Sequence, residues 1–215
     1  MPAPYTFLIF DFDGTLVDTL GAIAHHANRV LTGHGYQARS IDAVREGIGW
    51  GVHELLKGLA PAFENDPIKL EKAAEEFKNA YRREPVLNTR PFPGVAQMLS
   101  GPLSRVKKAI VTNKPQDITL QILDELGLNK YFEKVIGMHA GYPPKPDPSA
   151  LNEVIRWLGG TKKNSVYIGD SHVDGETSRA AGVDFAWVDY GYHTSAEIEP
   201  DYRFSKAEDW AGLVS

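Results

Sequence analysis

The chain of 215 residues contains no cysteine. That excludes disulfides, thiolate metal sites and a cysteine nucleophile at once, and it fits a reducing compartment. No uninterrupted apolar run approaches the roughly 20 residues needed to cross a bilayer. The start, Met1-Pro2-Ala3-Pro4-Tyr5, lacks the basic lead and apolar centre of a secretory signal, so a cytoplasmic protein is expected. A basic surplus is missing too: 23 Lys and Arg stand against 28 Asp and Glu, a formal net charge of −5. Nucleic-acid binders usually show the opposite balance, and neither nucleic acid nor a membrane is expected as a partner. Repeats, low-complexity tracts and long charge blocks are absent as well. What remains is ordinary globular composition, 42% hydrophobic and 24% charged. It excludes a mostly disordered chain, and a chain of this size buries roughly 70% of its unfolded surface without staples.

Short apolar runs recur at Tyr5–Phe10, Ala109–Thr112, Lys134–Gly137, Val166–Gly169 and Phe185–Val188. They are nearly continuous rather than alternating, as strands covered on both faces are. Helical segments lie between most of them. Ile118, Leu120, Ile122, Leu123 and Leu126 precede Gly127, and Leu151, Val154, Ile155 and Leu158 precede Gly159-Gly160. The glycines are plausible helix stops. The alternation predicts a doubly wound, Rossmann-like α/β fold with a parallel sheet.

One stretch breaks the alternation. From Asp18 to about Pro91 the pattern reads as helices with no convincing strand. Leu20, Ile23, Ala24, Ala27 and Leu31 trace one helical stripe, and Leu70, Ala73, Ala74, Phe77 and Tyr81 another. Trp50, Leu55, Leu56 and Leu59 point to a shorter helix between them. Arg90-Pro91-Phe92-Pro93-Gly94 reads as a connector. The expected organisation is an α/β core of residues 1–17 and 91–215 with an inserted all-helical domain of residues 18–90.

Four strings carry chemistry. The first, Phe10-Asp11-Phe12-Asp13-Gly14-Thr15-Leu16-Val17-Asp18-Thr19, runs from a strand into two carboxylates two residues apart. Ligands of α/β sheets bind beyond the carboxyl ends of strands. Two acids there repel unless a cation lies between them. Mg²⁺ is the natural choice, with its octahedral shell of hard oxygen ligands, and an ionised Asp can attack phosphorus. Taken alone, Asp13-Gly14 reads as a turn.

The second string, Ala109-Ile110-Val111-Thr112-Asn113-Lys114-Pro115, ends a strand in a hydroxyl and an amide that can donate to phosphate oxygens. Thr112 alone could be a helix cap, and Pro115 suits the first turn of the next helix. In the third, Tyr142-Pro143-Pro144-Lys145-Pro146-Asp147-Pro148, a stiff loop carries one ammonium. The fourth, Val166-Tyr167-Ile168-Gly169-Asp170-Ser171-His172-Val173-Asp174, ends a strand in an acid that could complete a metal shell. Ser171-x-x-Asp174 also fits a capping box for the helix through Ala181. Parallel strands bring all four ends to one sheet edge, a set that suits a phosphate dianion with Mg²⁺.

In these strings the sequence resembles the haloacid dehalogenase superfamily, in its phosphatase branch with a helical cap. Asp11-x-Asp13-Gly14-Thr15, Thr112-Asn113, Lys145-Pro146 and Gly169-Asp170-x-x-x-Asp174 are similar to its four motifs, in order. The resemblance implies Asp11 as nucleophile and Mg²⁺ ligand. It implies Asp13 as proton donor and then base, with its backbone carbonyl on the metal. Thr112 and Asn113 would hold phosphoryl oxygens, and Lys145 would bridge Asp11 and the phosphate. Asp170 would ligate Mg²⁺, with Asp174 an outer partner and Ser171 shaping the loop. Asp13 argues against the dehalogenases, which lack an acid there.

Within the capped phosphatases the chain is most similar to the phosphoglycolate phosphatase group, through Gly47-Ile48-Gly49-Trp50-Gly51-Val52-His53-Glu54-Leu55-Leu56, Val111-Thr112-Asn113-Lys114-Pro115 and Tyr190-Gly191-Tyr192. The expected partner is a small phosphorylated metabolite, and the expected assembly a monomer or homodimer. Substrate selection is expected in the cap. Arg45, His53 and Lys57 are the residues there that could meet a carboxylate or second phosphate. The His25-His26 pair is expected at a surface or domain seam, because neighbouring helix residues point apart. A capped phosphomutase is the nearest rival, since the same motifs serve it. A receiver domain is too short and uncapped, and a binding protein that lost catalysis would lack motif residues present here.

Overall fold

The computed structural model describes residues 5–194 and 198–214. Its elements in chain order are β1 Phe7–Phe10, β2 Val17–Asp18, α1 Leu20–Gly33, α2 Ile41–Glu46, α3 Val52–Leu59, α4 Pro67–Arg83, β3 Arg90–Pro91, α5 Val95–Ser100, β4 Lys107–Pro115, α6 Gln116–Glu125, β5 Lys134–Met138, α7 Ser149–Leu158, β6 Ser165–Gly169, α8 His172–Ala181, β7 Asp184–Val188 and β8 Tyr202–Phe204. The main sheet runs β5-β4-β1-β6-β7-β8, and every neighbouring pair is parallel.

The continuous apolar reading of β1 has a direct cause. Side chains alternate across a strand, and both faces of this one are covered. Leu8 and Phe10 share a core with Leu99 of α5, Ile122 of α6 and Trp210. Phe7 and Ile9 pack instead with Leu151, Val154 and Leu158 of α7. Burying each such side chain stabilises the fold by about 1.5–3 kcal/mol. From β1 the main sheet continues on one side through β4 and on the other through β6. The carboxyl end of β1 is therefore the point where strand order reverses, and a crevice opens there.

Helices α1 to α4 fill the stretch between β2 and β3. The stripe Leu20, Ile23, Ala24, Ala27 and Leu31 of α1 is buried, as are Ala73, Ala74, Phe77 and Tyr81 of α4. Asp66 caps α4 by accepting from Lys69 N, with Pro67 in the first turn, where a missing N–H costs nothing. The short strands β2 and β3 pair antiparallel, Val17 with Pro91 and Asp18 with Arg90. The chain leaving for the helices is thus bonded to the chain coming back.

Some elements differ from the sequence expectation. The β2–β3 ladder lies where no strand was expected, because two residues carry no periodicity. Strand β4 runs on to Pro115 rather than ending at Thr112; its pairing with β5 shifts register between Val111 and Pro115. Pro115 accordingly sits one residue ahead of α6 instead of in its first turn. Strand β8, with exposed Arg203 at its centre, was not foreseen, nor was α2, whose one buried residue is Val44. Among the described residues no helix is long and apolar enough to cross a membrane.

Candidate active site

The residue after β1 is Asp11, nearly fully buried and tied to the neighbouring strand by its N–H to Ile168 O at 2.8 Å. The chain then turns: Leu16 N and Val17 N both donate to Phe12 O. Gly14 makes this turn at φ +85°, a left-handed conformation that favours glycine. There is a second reason for glycine. A Cβ at Gly14 would lie 2.3 Å from Asp170 Oδ2.

Asp170 ends β6 and is buried. Its Oδ1 accepts from Thr15 Oγ1 at 3.0 Å and its Oδ2 from Tyr192 N at 2.8 Å. A Cβ at Gly191 would come within 2.2 Å of Asp170 Cβ. Two glycines and two donors therefore fix this carboxylate. Gly169 serves the neighbouring acid in the same way, since a Cβ there would strike Asp174 at 2.5 Å.

The capping box read in the sequence is present. Asp174 Oδ2 accepts from Ser171 N at 3.0 Å and Ser171 Oγ at 2.6 Å, and Ser171 Oγ accepts from Asp174 N at 3.3 Å. The other oxygen, Asp174 Oδ1, takes Lys145 Nζ at 2.5 Å. Lys145 is not a solvated lysine. It is buried, donates to Tyr167 Oη at 2.9 Å and lies 2.9 Å from Asp11 Oδ1. The last contact lacks hydrogen-bond alignment, so among the described residues Asp11 Oδ1 is buried without a hydrogen-bond partner.

The loop carrying Lys145 is held by Asn113. Asn113 Oδ1 accepts from Lys145 N at 2.8 Å, and Asn113 Nδ2 donates to Lys145 O at 3.0 Å and to Gly49 O at 2.9 Å. The side-chain amide expected to meet a phosphate is thus engaged by backbone. Thr112 Oγ1 accepts from Lys114 N at 3.3 Å, which leaves its own proton to give.

Burial raises the Asp170 carboxyl well above the usual range, and Asp174 and Asp11 add to the rise. Asp11 is raised by burial and then by Asp174, against the pull of Lys145. Burial opposes charge on Lys145, but Asp11 and Asp174 hold it above the ordinary lysine range. Carboxylate oxygens of Asp11, Asp170 and Asp174 lie within 4.8 Å of one another. Such an oxygen set, with one orphaned buried oxygen and mutual repulsion, fits a hard divalent cation. Asp13 stands apart from it. Its carboxylate turns to Thr19 Oγ1 at 2.6 Å and Lys114 Nζ at 3.1 Å.

Lys114 is the site residue that the sequence reading passed over. Its position directly after Thr112-Asn113, on the same strand end, was the available signal. The three cap candidates are not brought to the site. Arg45 pairs with Asp42, His53 with Glu71 and Lys57 with Glu54, each half-buried, and none of the three lines the crevice. The segment from Gly47 to Gly51 does reach the site: besides Asn113 on Gly49, His193 Nε2 lies 3.1 Å from Ile48 O, and the Trp50 ring lies 5.1 Å from the His172 ring at an interplanar angle of 55°. The His25-His26 pair departs from the expected surface or seam position in one member: His26 is fully buried against Phe77 and Tyr81, while His25 is exposed.

The profile of the haloacid dehalogenase-like hydrolases matches residues 8–188. Phosphoglycolate phosphatase 1 of Pseudomonas aeruginosa is 36% identical over 197 residues, covering 89% of this chain and 72% of the relative. The phosphoglycolate phosphatase of Aquifex aeolicus is 31% identical over 208 residues, covering 96% and 95%. Among solved structures, a haloacid dehalogenase-like protein of Bacteroides fragilis superposes with a TM-score of 0.87 at 30% identity, over 94% of this chain and 98% of that one. A Haemophilus somnus protein described as a predicted phosphoglycolate phosphatase gives 0.89 at 24% identity, over 97% of both chains.

Proposed function

The chain belongs to the haloacid dehalogenase-like hydrolases, and from that premise we propose that it is a Mg²⁺-dependent phosphoric monoester hydrolase working through an aspartyl-phosphate on Asp11. The observation that carries this is the state of Asp11 Oδ1: buried, without a hydrogen-bond partner among the described residues, and 2.9 Å from the Lys145 ammonium. An oxygen so placed is available to attack phosphorus while a fixed cation offsets the charge of the incoming group.

In this reading one Asp11 oxygen bonds to phosphorus as the ester P–O bond breaks. Asp13 gives its proton to the departing oxygen. It then takes a proton from water, which attacks phosphorus and frees Asp11 and inorganic phosphate. General acid–base work of this kind contributes typically 10²–10⁴-fold. Thr112 Oγ1 and the backbone N–H of Asn113 hold phosphoryl oxygens at the end of β4. Asp11, Asp170 and the Asp13 carbonyl would hold Mg²⁺, with Asp174 fixing Lys145 and Ser171 behind them. When bound, the cation neutralises phosphate charge.

We assign residues 1–17 and 91–215 to the catalytic core and 18–90 to a cap. The β2–β3 ladder across that boundary and the mutual packing of α1 with α4 and α3 with α4 support the division. The names of the relatives make 2-phosphoglycolate the first compound to assay. The test is phosphate release from a panel of monoesters with and without Mg²⁺, together with Asp11→Asn. Mg²⁺-dependent release that Asp11→Asn abolishes without loss of fold is expected. Full activity in that variant would remove Asp11 as nucleophile. An isomerised sugar phosphate without free phosphate would point to a mutase instead.

A further inference from the structure

Tyr192 lies in the loop after β7, is buried, and reaches both halves of the site. Its backbone N–H donates to Asp170 Oδ2 at 2.8 Å. Its side chain runs to the start of α1, where the hydroxyl oxygen accepts from Thr19 N at 2.6 Å and Leu20 N at 3.0 Å. A helix opens with N–H groups that have no partner inside it, and a Thr at the N-cap ordinarily turns its own hydroxyl oxygen to them. Thr19 stands at the N-cap of α1, and among the described residues its side chain makes no such bond. It donates to Asp13 Oδ1 at 2.6 Å instead. A hydroxyl has one proton to give and two lone pairs to accept with. Both lone pairs of Tyr192 Oη are taken by N–H groups, so the Thr19 proton cannot go there. The tyrosine proton is left for Thr19 Oγ1 at 3.2 Å or Asp18 Oδ1 at 3.3 Å.

We propose that Tyr192 is a positioning residue for the proton donor Asp13: by answering the N–H groups that open α1, its hydroxyl leaves the Thr19 hydroxyl to fix the Asp13 carboxyl. This deepens the phosphatase reading and rests on it. Without the Tyr192 oxygen two buried N–H groups lose their acceptor, which costs the folded chain. Thr19 Oγ1 lies 3.2 Å from that oxygen and is drawn from Asp13 toward the helix start. A proton donor displaced by an ångström loses much of its effect. The backbone N–H of Tyr192 keeps its place on Asp170 whatever the side chain is, so the metal ligand and the proton donor are separable by substitution.

The test is Tyr192→Phe, which keeps the ring and removes only the hydroxyl. Its kcat/KM is measured with Mg²⁺ on acetyl phosphate and on 2-phosphoglycolate, or on whichever alkyl monoester the wild type turns over best. An alkoxide needs a proton as it departs, whereas acetate leaves without one. We expect kcat/KM to fall about tenfold or more for the alkyl ester and to stay within about twofold for acetyl phosphate. The half-saturating Mg²⁺ concentration should not move, because Asp170 keeps its donor. Thr19→Val should show the same selective loss and Thr19→Ser, which keeps the hydroxyl, should not; this pair decides the matter if Tyr192→Phe fails to fold. The crystal structure of Tyr192→Phe should show Thr19 Oγ1 out of hydrogen-bond reach of Asp13 Oδ1. Equal losses on both phosphates, full activity on both, or a selective loss with Thr19 still bonded to Asp13 would overturn the inference and leave the phosphatase reading standing. A wild type that releases phosphate from neither compound nor from any other monoester would remove the phosphatase reading, and the inference with it.

Discussion

Lys114 and Asp13, 101 residues apart in the chain, form an ion pair at 3.1 Å with side chains only 4% and 12% exposed. The ammonium also sits 4.3 Å from the centroid of the Tyr81 ring. Thr19 Oγ1 holds the same Asp13 oxygen at 2.6 Å. The proposed proton-transfer group is thus clamped by the end of β4 and by the residue just before α1. Replacing Lys114 with Met keeps the length and removes the charge. Phosphate release should fall about 10²-fold, the scale on which a misplaced general acid costs. The circular dichroism should not change. Activity within twofold of wild type would show that Asp13 needs no such clamp.

The close approach of Gly14 to Asp170 gives a second prediction. Gly14→Ala puts a methyl where Asp170 Oδ2 stands and demands a left-handed backbone of a residue that resists it. Asp170 is held by Thr15 and Tyr192 and cannot simply step aside. We expect a stability loss of about 1–3 kcal/mol and a half-saturating Mg²⁺ concentration raised at least tenfold. A wild-type Mg²⁺ titration would detach Asp170 from the metal.

Mg²⁺ should also be visible without substrate. Asp11, Asp170 and Asp174 crowd one another where all three are buried, so a ligand that neutralises them binds the folded chain and not the unfolded one. At a hundredfold excess over its dissociation constant it would add about 2.7 kcal/mol. For a chain of this size that is about 5–10 °C in melting temperature. Asp170→Asn should abolish the Mg²⁺ response and, by removing one buried charge, melt higher than wild type in EDTA. A response that survives in this variant would place the cation elsewhere.

The sequence was most legible where local pattern and chemistry coincide. Asp11, Thr112 and Asp170 each follow or end a continuous apolar run, and a parallel sheet must collect such ends. Lys145 was weak as a lone lysine, and becomes informative only when Asp174 and Asp11 are seen around it. What could not be read depends on partners distant in the chain. Nothing local says that Arg45 will turn to Asp42 rather than inward, or that the Asn113 amide will be occupied by Lys145 and Gly49 backbone. Strand β8 is invisible for a similar reason: three residues around a charged arginine become a strand only because β7 offers an edge.

His26 gives the last prediction, and it concerns the fold rather than the reaction. The residue is fully buried, and neither ring nitrogen has a hydrogen-bond partner among the described residues. Burial disfavours the imidazolium and lowers its pKa, with nearby Glu84 opposing the shift and His25 and Arg29 reinforcing it. In the unfolded chain the ring titrates near 6.5. Above that pH neither state is protonated and His26 adds no pH dependence. As pH falls below about 6.5, the unfolded state takes up a proton that the folded state refuses, so stability declines until the lowered folded pKa is reached. His193 is lowered by burial as well and contributes to the same decline. Comparing urea denaturation of wild type and His26→Phe between pH 7.5 and 5.5 isolates the His26 share. The variant should lose part of the acid-side decline, by at most about 1.4 kcal/mol per pH unit. At pH 7.5 it should be at least as stable as wild type, since two unsatisfied nitrogens give way to ring carbons among Phe77 and Tyr81. Identical slopes in the two proteins would mean that the buried ring is protonated in the folded state, and that Glu84 outweighs the burial.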